Sequence, residues 1–384
     1  MPRARLRQRK VDAAAETVLR LRRPRPAVWD TIVEAAASSG PEVYWSAQQV
    51  LIQAGRAAAP YADQLADRLD SLLRDPHDYL IGQLAFALAG IGDVRAMPGL
   101  HRLAVQGRLW RDGGHAAPAL AALPAAELLP LLRRDLVAEQ AAGGNAFALS
   151  VLAALGPEAA PALPEVVACL EGPYAHGAAR VLGRIGPAAA PAAGRLAEFA
   201  TGAGRPPGPY GPDARGVWRG VRMAAWAHSR VTGDDSLALR GYAADLASGR
   251  GSRVLPYLAD FGPAAAPHTA AVRALIHSPG AWTRVAAAHA WWRITGDPEL
   301  AVPVLLAAVD PEWDGHVAYP TPLAVRHLGE IGAPAAVARP VLTRLLERET
   351  RLDYAWERHR ILADDAFTRT LTEALAGIGS HIPG

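Results

Sequence analysis

The sequence predicts an all-α chain built as a stack of helix pairs, and three observations carry that expectation. The motif Gly-Pro-x-Ala-Ala-Pro begins at Gly156, Gly186 and Gly262, each time between apolar runs of helical spacing. Alanine, the best helix former, supplies much of a hydrophobic fraction of 51%, while aromatic residues make up only 6%. The alternation of apolar and polar residues that marks a half-buried strand is almost absent.

Taken in order along one unit, AHGAARVLGRIG reads as a first helix that ends at Gly186, where glycine can take the left-handed conformation that closes a helix. Pro187 cannot continue that helix. Pro191 suits the first turn of the next one, where its missing N–H costs nothing. The same punctuation recurs at Gly55 with Pro60, Gly92 with Pro98, and then at Gly332 and Gly379. AWAHSRVTGDDSLAL from Ala225 aligns with AHAWWRITGDPELAV from Ala288, giving Gly233 and Gly296 the same role, and a degenerate copy breaks at Pro124. Hinges therefore fall about every 30 to 37 residues, with two longer gaps of about 47. One helix pair is too small to bury its own apolar faces, so neighbouring pairs must stack.

The segments ARVLGRIGPAAAPA and AWWRITGDPELAVPVLLAAV resemble HEAT repeats, in particular the phycobilisome-lyase-like short HEAT repeats of bacteria, with weaker copies across residues 40–384. The resemblance implies a right-handed α-solenoid of about ten helix-turn-helix repeats, with the inner, concave wall built mainly by the second helix of each pair. Most members act as protein-binding scaffolds. Some relatives handle tetrapyrrole attachment, and a distant group excises alkylated bases from DNA.

The expected organisation is a basic arm or first helix at 1–25, a first array at 26–200, a Pro/Gly-rich loop at 201–216, and a second array at 217–384 with an inserted loop at 310–322. The arm holds nine basic side chains against Asp12 and Glu16, a net of +7, whereas the other 31 basic and 35 acidic residues give −4. The high pI of about 9.2 thus comes from the arm and not the body. Lys10 is the only lysine beside 39 arginines, a bias that points to a high-GC genome. The basic start has no apolar run behind it, which argues against a secretory signal. No uninterrupted apolar run reaches the roughly 18 to 20 residues that span a bilayer, so no membrane association and a cytoplasmic location are expected.

Catalytic signatures are missing. A Walker loop needs a lysine after its second glycine, and neither H-E-x-x-H nor G-x-S-x-G occurs. Asp310, Glu312, Asp314 and Gly315 spell the opening of a calcium loop, but its twelfth position, where a bidentate glutamate should close the site, is Thr321. Cys169, the sole cysteine, reads as buried between helices. The histidines are scattered, with His228 and His289 taken as equivalent packing positions in the first helices of two units. No catalytic residue, metal or cofactor is therefore assigned. The aromatic residues at the start of first helices (Tyr44, Trp45, Tyr79, Tyr174, Trp218, Trp282) are read chiefly as seals between units. Of the neighbours Trp291 and Trp292, at most one is expected to be fully buried.

The expected function is that of a non-catalytic scaffold or adaptor that binds a protein partner through the concave surface and the inserted loops. Trp313, Tyr319 and the second-helix arginines Arg102, Arg133, Arg134, Arg273, Arg344 and Arg348 are the candidate contacts. Nucleic-acid binding, in the manner of a base-excision relative, is the alternative, led by Arg3, Arg5, Arg7, Arg9 and Lys10. A lyase-like accessory factor for a small ligand is a second alternative, and it would need a deep pocket. LTEALAGIGSHIPG closes a first helix at Gly379 with no second helix to cover it, which suggests a homodimer through that end.

Overall fold

A computed structural model describes residues 2–37, 45–74, 80–110, 117–142, 146–202, 214–315, 319–353 and 360–379, and every regular element among them is helical. The helices are α1 (Pro2–Arg20), α2 (Pro26–Ala37), α3 (Trp45–Leu51), α4 (Ala62–Leu73), α5 (Ile81–Gly90), α6 (Met97–Val105) and the single turn α7 (Ala117–Leu120). Next come α8 (Ala125–Ala142), α9 (Ala146–Leu155), α10 (Leu163–Ala168), α11 (Ala175–Ile185), α12 (Ala193–Ala200), α13 (Ala214–Thr232) and α14 (Ser236–Ala247). The last seven are α15 (Leu255–Phe261), α16 (Thr269–Leu275), α17 (Ala281–Thr295), α18 (Pro298–Leu306), α19 (Thr321–Ile331), α20 (Arg339–Leu346) and α21 (Arg360–Gly379). Most of the expected 201–216 loop lies outside the described residues. Its last three, Ala214 to Gly216, are not loop but the start of α13.

From α3 onward the helices sort by parity. Each odd-numbered helix packs on the next odd-numbered one through most of the series, as in α9 on α11, α11 on α13, α15 on α17 and α19 on α21. Even-numbered helices do the same on the other layer, as in α4 on α6, α6 on α8 and α8 on α10. The sequence produces this because each odd helix carries apolar residues at the helical repeat. In α11, Ala175, Ala178, Ala179 and Leu182 are all buried, and small residues let the neighbouring backbone approach.

The hinges are a repeated device. Gly156–Ala162, Gly186–Ala192 and Gly262–His268 are short 3-10 segments that begin on the glycine and carry proline at their second and sixth positions. Gly156, Gly186, Gly262 and Gly332 all have positive φ, between 54° and 77°. The conformation differs from the expected left-handed cap: Gly186, Gly262 and Gly332 have ψ of −142°, −132° and −138°. That region is open only to glycine. Gly296, by contrast, does take the left-handed form. Pro191 lies in the 3-10 segment, two residues ahead of α12, and not in the first turn of the helix as expected. The hinges at Gly156, Gly186, Gly262 and Gly332 also abut the next unit, whereas Gly233 and Gly296 have open space around them. A methyl group on Gly186 would sit 3.9 Å from Arg230 O, and on Gly262 or Gly332 within 3.5 Å of Arg293 O or Gly377 O. Gly379 departs from the pattern, because it is the last residue of α21 and lacks positive φ.

Residues Phe147–Glu171 are helical and, at a mean hydropathy of 1.3, long and apolar enough by length and composition alone to cross a membrane. They do not form one straight helix. The run breaks at Gly156 into a 3-10 segment and resumes as α10.

The two ends of the chain meet. Arg22 donates to Asp364 through Nη2 at 2.8 Å and Nε at 3.0 Å, and to Leu345 O through Nη1 at 2.9 Å. Arg351 reaches the same carboxylate at 3.3 Å and Asp365 at 2.6 Å, while its Nε donates to Val18 O and Leu21 O. Backbone bonds from Arg22 N to Glu349 O and from Arg351 N to Arg20 O close the seam. Ile361 of α21 belongs to the same apolar cluster as Val11 and Leu51, and its N–H donates to Gln53. The apolar side chains of α21, including Phe367, Leu371, Ala374 and Ile378, are likewise buried. Another buried pair, Arg222 with Asp245, ties α13 to α14, and Arg250 adds a second bond to the same carboxylate. Burial opposes ionisation of Asp245, but the hydrogen bonds from Arg222 and Arg250 outweigh it and hold its carboxyl below the usual range.

In α19 a methyl on Gly329 would lie 2.5 Å from Ala374 Cα of α21, whereas Gly194 in α12 has open space around it. Gly329→Ala should therefore lower thermal stability by about 1–3 kcal/mol through overpacking, and Gly194→Ala should raise it by roughly 0.5–1 kcal/mol through helix propensity. Calorimetric melts of both variants check the opposite signs. For Asp245, whose pKa falls on folding, the stabilisation is complete above the unfolded value of about 4 and disappears as pH drops through the lower folded value. Melts from pH 7 down to pH 3 should show Asp245→Asn less stable at neutrality but with a shallower acid decline than the parent chain; parallel curves would contradict the assignment.

Candidate functional site

The most concentrated group of chemically capable side chains lies where α17 meets α19. His289 projects from α17, and His327 and Glu330 come from α19, three residues apart and so on one face of the helix. The two imidazoles stack with centroids 3.5 Å apart and planes 10° from parallel. Glu330 Oε2 lies 3.0 Å from His327 Nδ1, in hydrogen-bonding geometry. It is also 2.9 Å from His289 Nε2, but that nitrogen is buried and its angle does not make a hydrogen bond. Glu330 Oε1 accepts from Arg326 Nε at 3.0 Å. The other ring contact of His289 is Trp292, at 5.9 Å.

The electrostatics follow from burial. His327 is almost fully enclosed, and the cost of burying an imidazolium pushes its pKa down to about 4, against the pull of the Glu330 carboxylate. Burial alone would raise Glu330, but the two histidines outweigh it and hold its carboxyl far below the usual range. At neutral pH the group therefore consists of a neutral His327 donating its Nδ1–H to an ionised carboxylate. The donor atoms of His289, His327 and Glu330 all lie within 4.8 Å of one another, the one such group of three among the described residues.

The sequence did not assemble this cluster. Expecting His228 and His289 at equivalent positions was also an error of register: with Ala225 opposite Ala288, His289 falls opposite Trp226, and His228 opposite Trp291. The legible signal was His327-x-x-Glu330 on a predicted helix, but the third member is contributed by a different unit.

The expected partner-binding residues are dispersed, and several are used within the chain. Trp313 is buried in the core, its ring edge-on to Phe367 at 5.6 Å, and so is not presented as a surface anchor. Arg348 donates to Trp313 O and Pro311 O, and Arg344 pairs with Glu312, so these arginines fasten the inserted loop to α20. The same loop explains the calcium-like letters. Asp310 Oδ1 accepts from Glu312 N in a local turn, and Asp314 O accepts from Asp353 N. Arg102 donates to Leu73 O at 2.9 Å, and Arg133 pairs with Glu165 at 2.7 Å. Arg134 is exposed, Tyr319 is half-buried, and Arg273 is exposed with its guanidinium 5.8 Å from the ring centroid of Trp291.

Among the aromatic residues at first-helix starts, Tyr174 is half-buried and Trp282 is 51% exposed; Tyr44 and Tyr79 lie outside the described residues, as do the side chains of Trp45 and Trp218. Trp291 and Trp292 are both half-buried, so neither is fully core. Cys169 is buried, as expected. Arg5, Arg7, Arg9 and Lys10 are exposed on the first turns of α1, ahead of the buried Val11, Ala14, Ala15 and Val18, and the side chain of Arg3 lies outside the described residues. An open depression between α16 and α18 is lined by His277, Arg284, Pro303 and Val304, and Arg284 Nη1 is engaged by Ser278 O and Pro279 O.

Compared with known proteins, the chain matches no family model and no curated protein sequence.

Proposed function

We propose that this chain is a HEAT-like α-solenoid that serves as a non-catalytic, cytoplasmic scaffold for a protein partner. The observation that carries this reading is the repeated hinge: at Gly156, Gly186, Gly262 and Gly332 units of one design are set against the last turn of the next, a side-by-side arrangement from which an extended binding surface is built. The open depression beside α16 does not favour the small-ligand alternative, because its one arginine is bonded to local carbonyls. Within the surface, the exposed Arg273 over Trp291 and the exposed Trp282 on α17 are the anchors, since arginine and tryptophan dominate binding energy at interfaces. The homodimer expectation started from an uncovered apolar face on the last helix, and α21 carries that face inward.

The exposed basic residues at the start of α1 favour a second reading, nucleic-acid binding through Arg5, Arg7, Arg9 and Lys10. Affinity capture from host lysate, with and without nuclease, separates the two. The scaffold reading predicts a stoichiometric protein band that survives nuclease and is lost with the double variant Arg273→Glu/Trp282→Ala. A band indifferent to those substitutions would refute the assigned anchors. Bound nucleic acid that vanishes on digestion, and whose affinity falls steeply with salt, would replace the scaffold with the second reading.

A further inference from the structure

We propose that His289, His327 and Glu330 bind one divalent transition-metal ion of the zinc type, bridging α17 to α19. Two imidazole nitrogens and a carboxylate oxygen form a donor set suited to borderline divalent metals such as zinc. Their placement is close to what an ion needs. Ligand atoms around a tetrahedral ion with bonds of about 2.0–2.1 Å lie roughly 3.3 Å apart. Here the carboxylate oxygen is 2.9 Å and 3.0 Å from the two nitrogens, so it must draw back from each by only a few tenths of an ångström.

The surrounding side chains support the same assignment. Arg326 occupies Glu330 Oε1 and leaves Oε2 to face the histidines, which would make the carboxylate a one-oxygen ligand of fixed orientation. His289 Nε2 is buried beside that oxygen without a hydrogen bond, and an ion would take up its lone pair. Because the rings are nearly parallel, one of them must turn about its Cβ–Cγ bond to share an ion. His289 is the ring to turn, since turning it breaks no hydrogen bond at Nε2. His327 Nδ1 gives up its proton to solvent as the metal–nitrogen bond forms, and the ion then compensates the carboxylate charge. Glu330 is the most exposed of the three, so a fourth position, filled by water, opens on its side. The ion joins two consecutive odd-numbered helices, and its role is that of a cross-brace. This proposal stands or falls independently of the scaffold reading.

The test uses the full chain purified without a polyhistidine tag, stripped with chelator and titrated calorimetrically with Zn2+. Uptake of one ion per chain, with a rise in melting temperature, is the expected result. Glu330→Gln and His289→Asn, each checked by circular dichroism for unchanged helix content, should weaken the affinity by about 100-fold or more and abolish the rise. Co2+ gives a second readout, because its visible bands should appear in the parent chain and be lost in both variants. No saturable uptake, or uptake and Co2+ bands that survive both substitutions, would overturn the proposal and leave a stacked histidine pair hydrogen-bonded to a carboxylate.

Discussion

A chain whose helices touch only their near neighbours has two ends, and each end exposes an apolar face unless something covers it. Here the ends cover each other, and the contact turns on one carboxylate. Asp364 is fully buried between Arg22, which follows the first helix, and Arg351, which precedes the last. Two guanidinium groups, backbone bonds across the seam and the carbonyls of Val18, Leu21 and Leu345 complete the set. A buried charge without partners would cost several kcal/mol, so the clasp requires all of its members at once. Closure in turn lets Ile361 join the core cluster that begins at Val11.

Between the ends, local chemistry repeats. Glycine at positive φ, followed by a 3-10 segment containing proline, turns the chain in seven residues and places the glycine against the neighbouring unit. Buried polar groups then differ in how fully they are satisfied. Asp245 has two arginine partners, and Tyr242 below it donates to Arg222 O. The His289–His327–Glu330 group contains a buried nitrogen that makes no hydrogen bond. That contrast separates a structural ion pair from a cluster with unused bonding capacity.

The hinges were legible in the sequence because glycine and proline act within a few residues of themselves. Helical content and the buried faces were legible for the same reason. Arg22 read as one of nine charges in a basic arm, and nothing local marked it as the partner of a carboxylate more than 300 residues away. Trp313 read as a surface anchor because it sits in an inserted loop, whereas its ring packs edge-on to Phe367 and its carbonyl accepts from Arg348, just after α20. His289 was separated from His327 by an entire unit. Gly379 was expected to close a helix at positive φ as its counterparts do, whereas α21 keeps its helical conformation to that residue. Side chains whose roles depend on which unit lies beside them are the ones that sequence spacing misplaced.

Hydrogen exchange at the seam tests the closed arrangement most directly. The amides of Arg22, Arg351 and Leu352 donate to Glu349 O, Arg20 O and Asp364 Oδ1, although none of the three lies in an α-helix. If the ends are clasped in solution, these amides exchange as slowly as the buried helix amides of α5 and α19, through the same cooperative opening. Rapid exchange at all three, with α5 and α19 still protected, would mean that the ends part and that the clasp does not hold the chain closed.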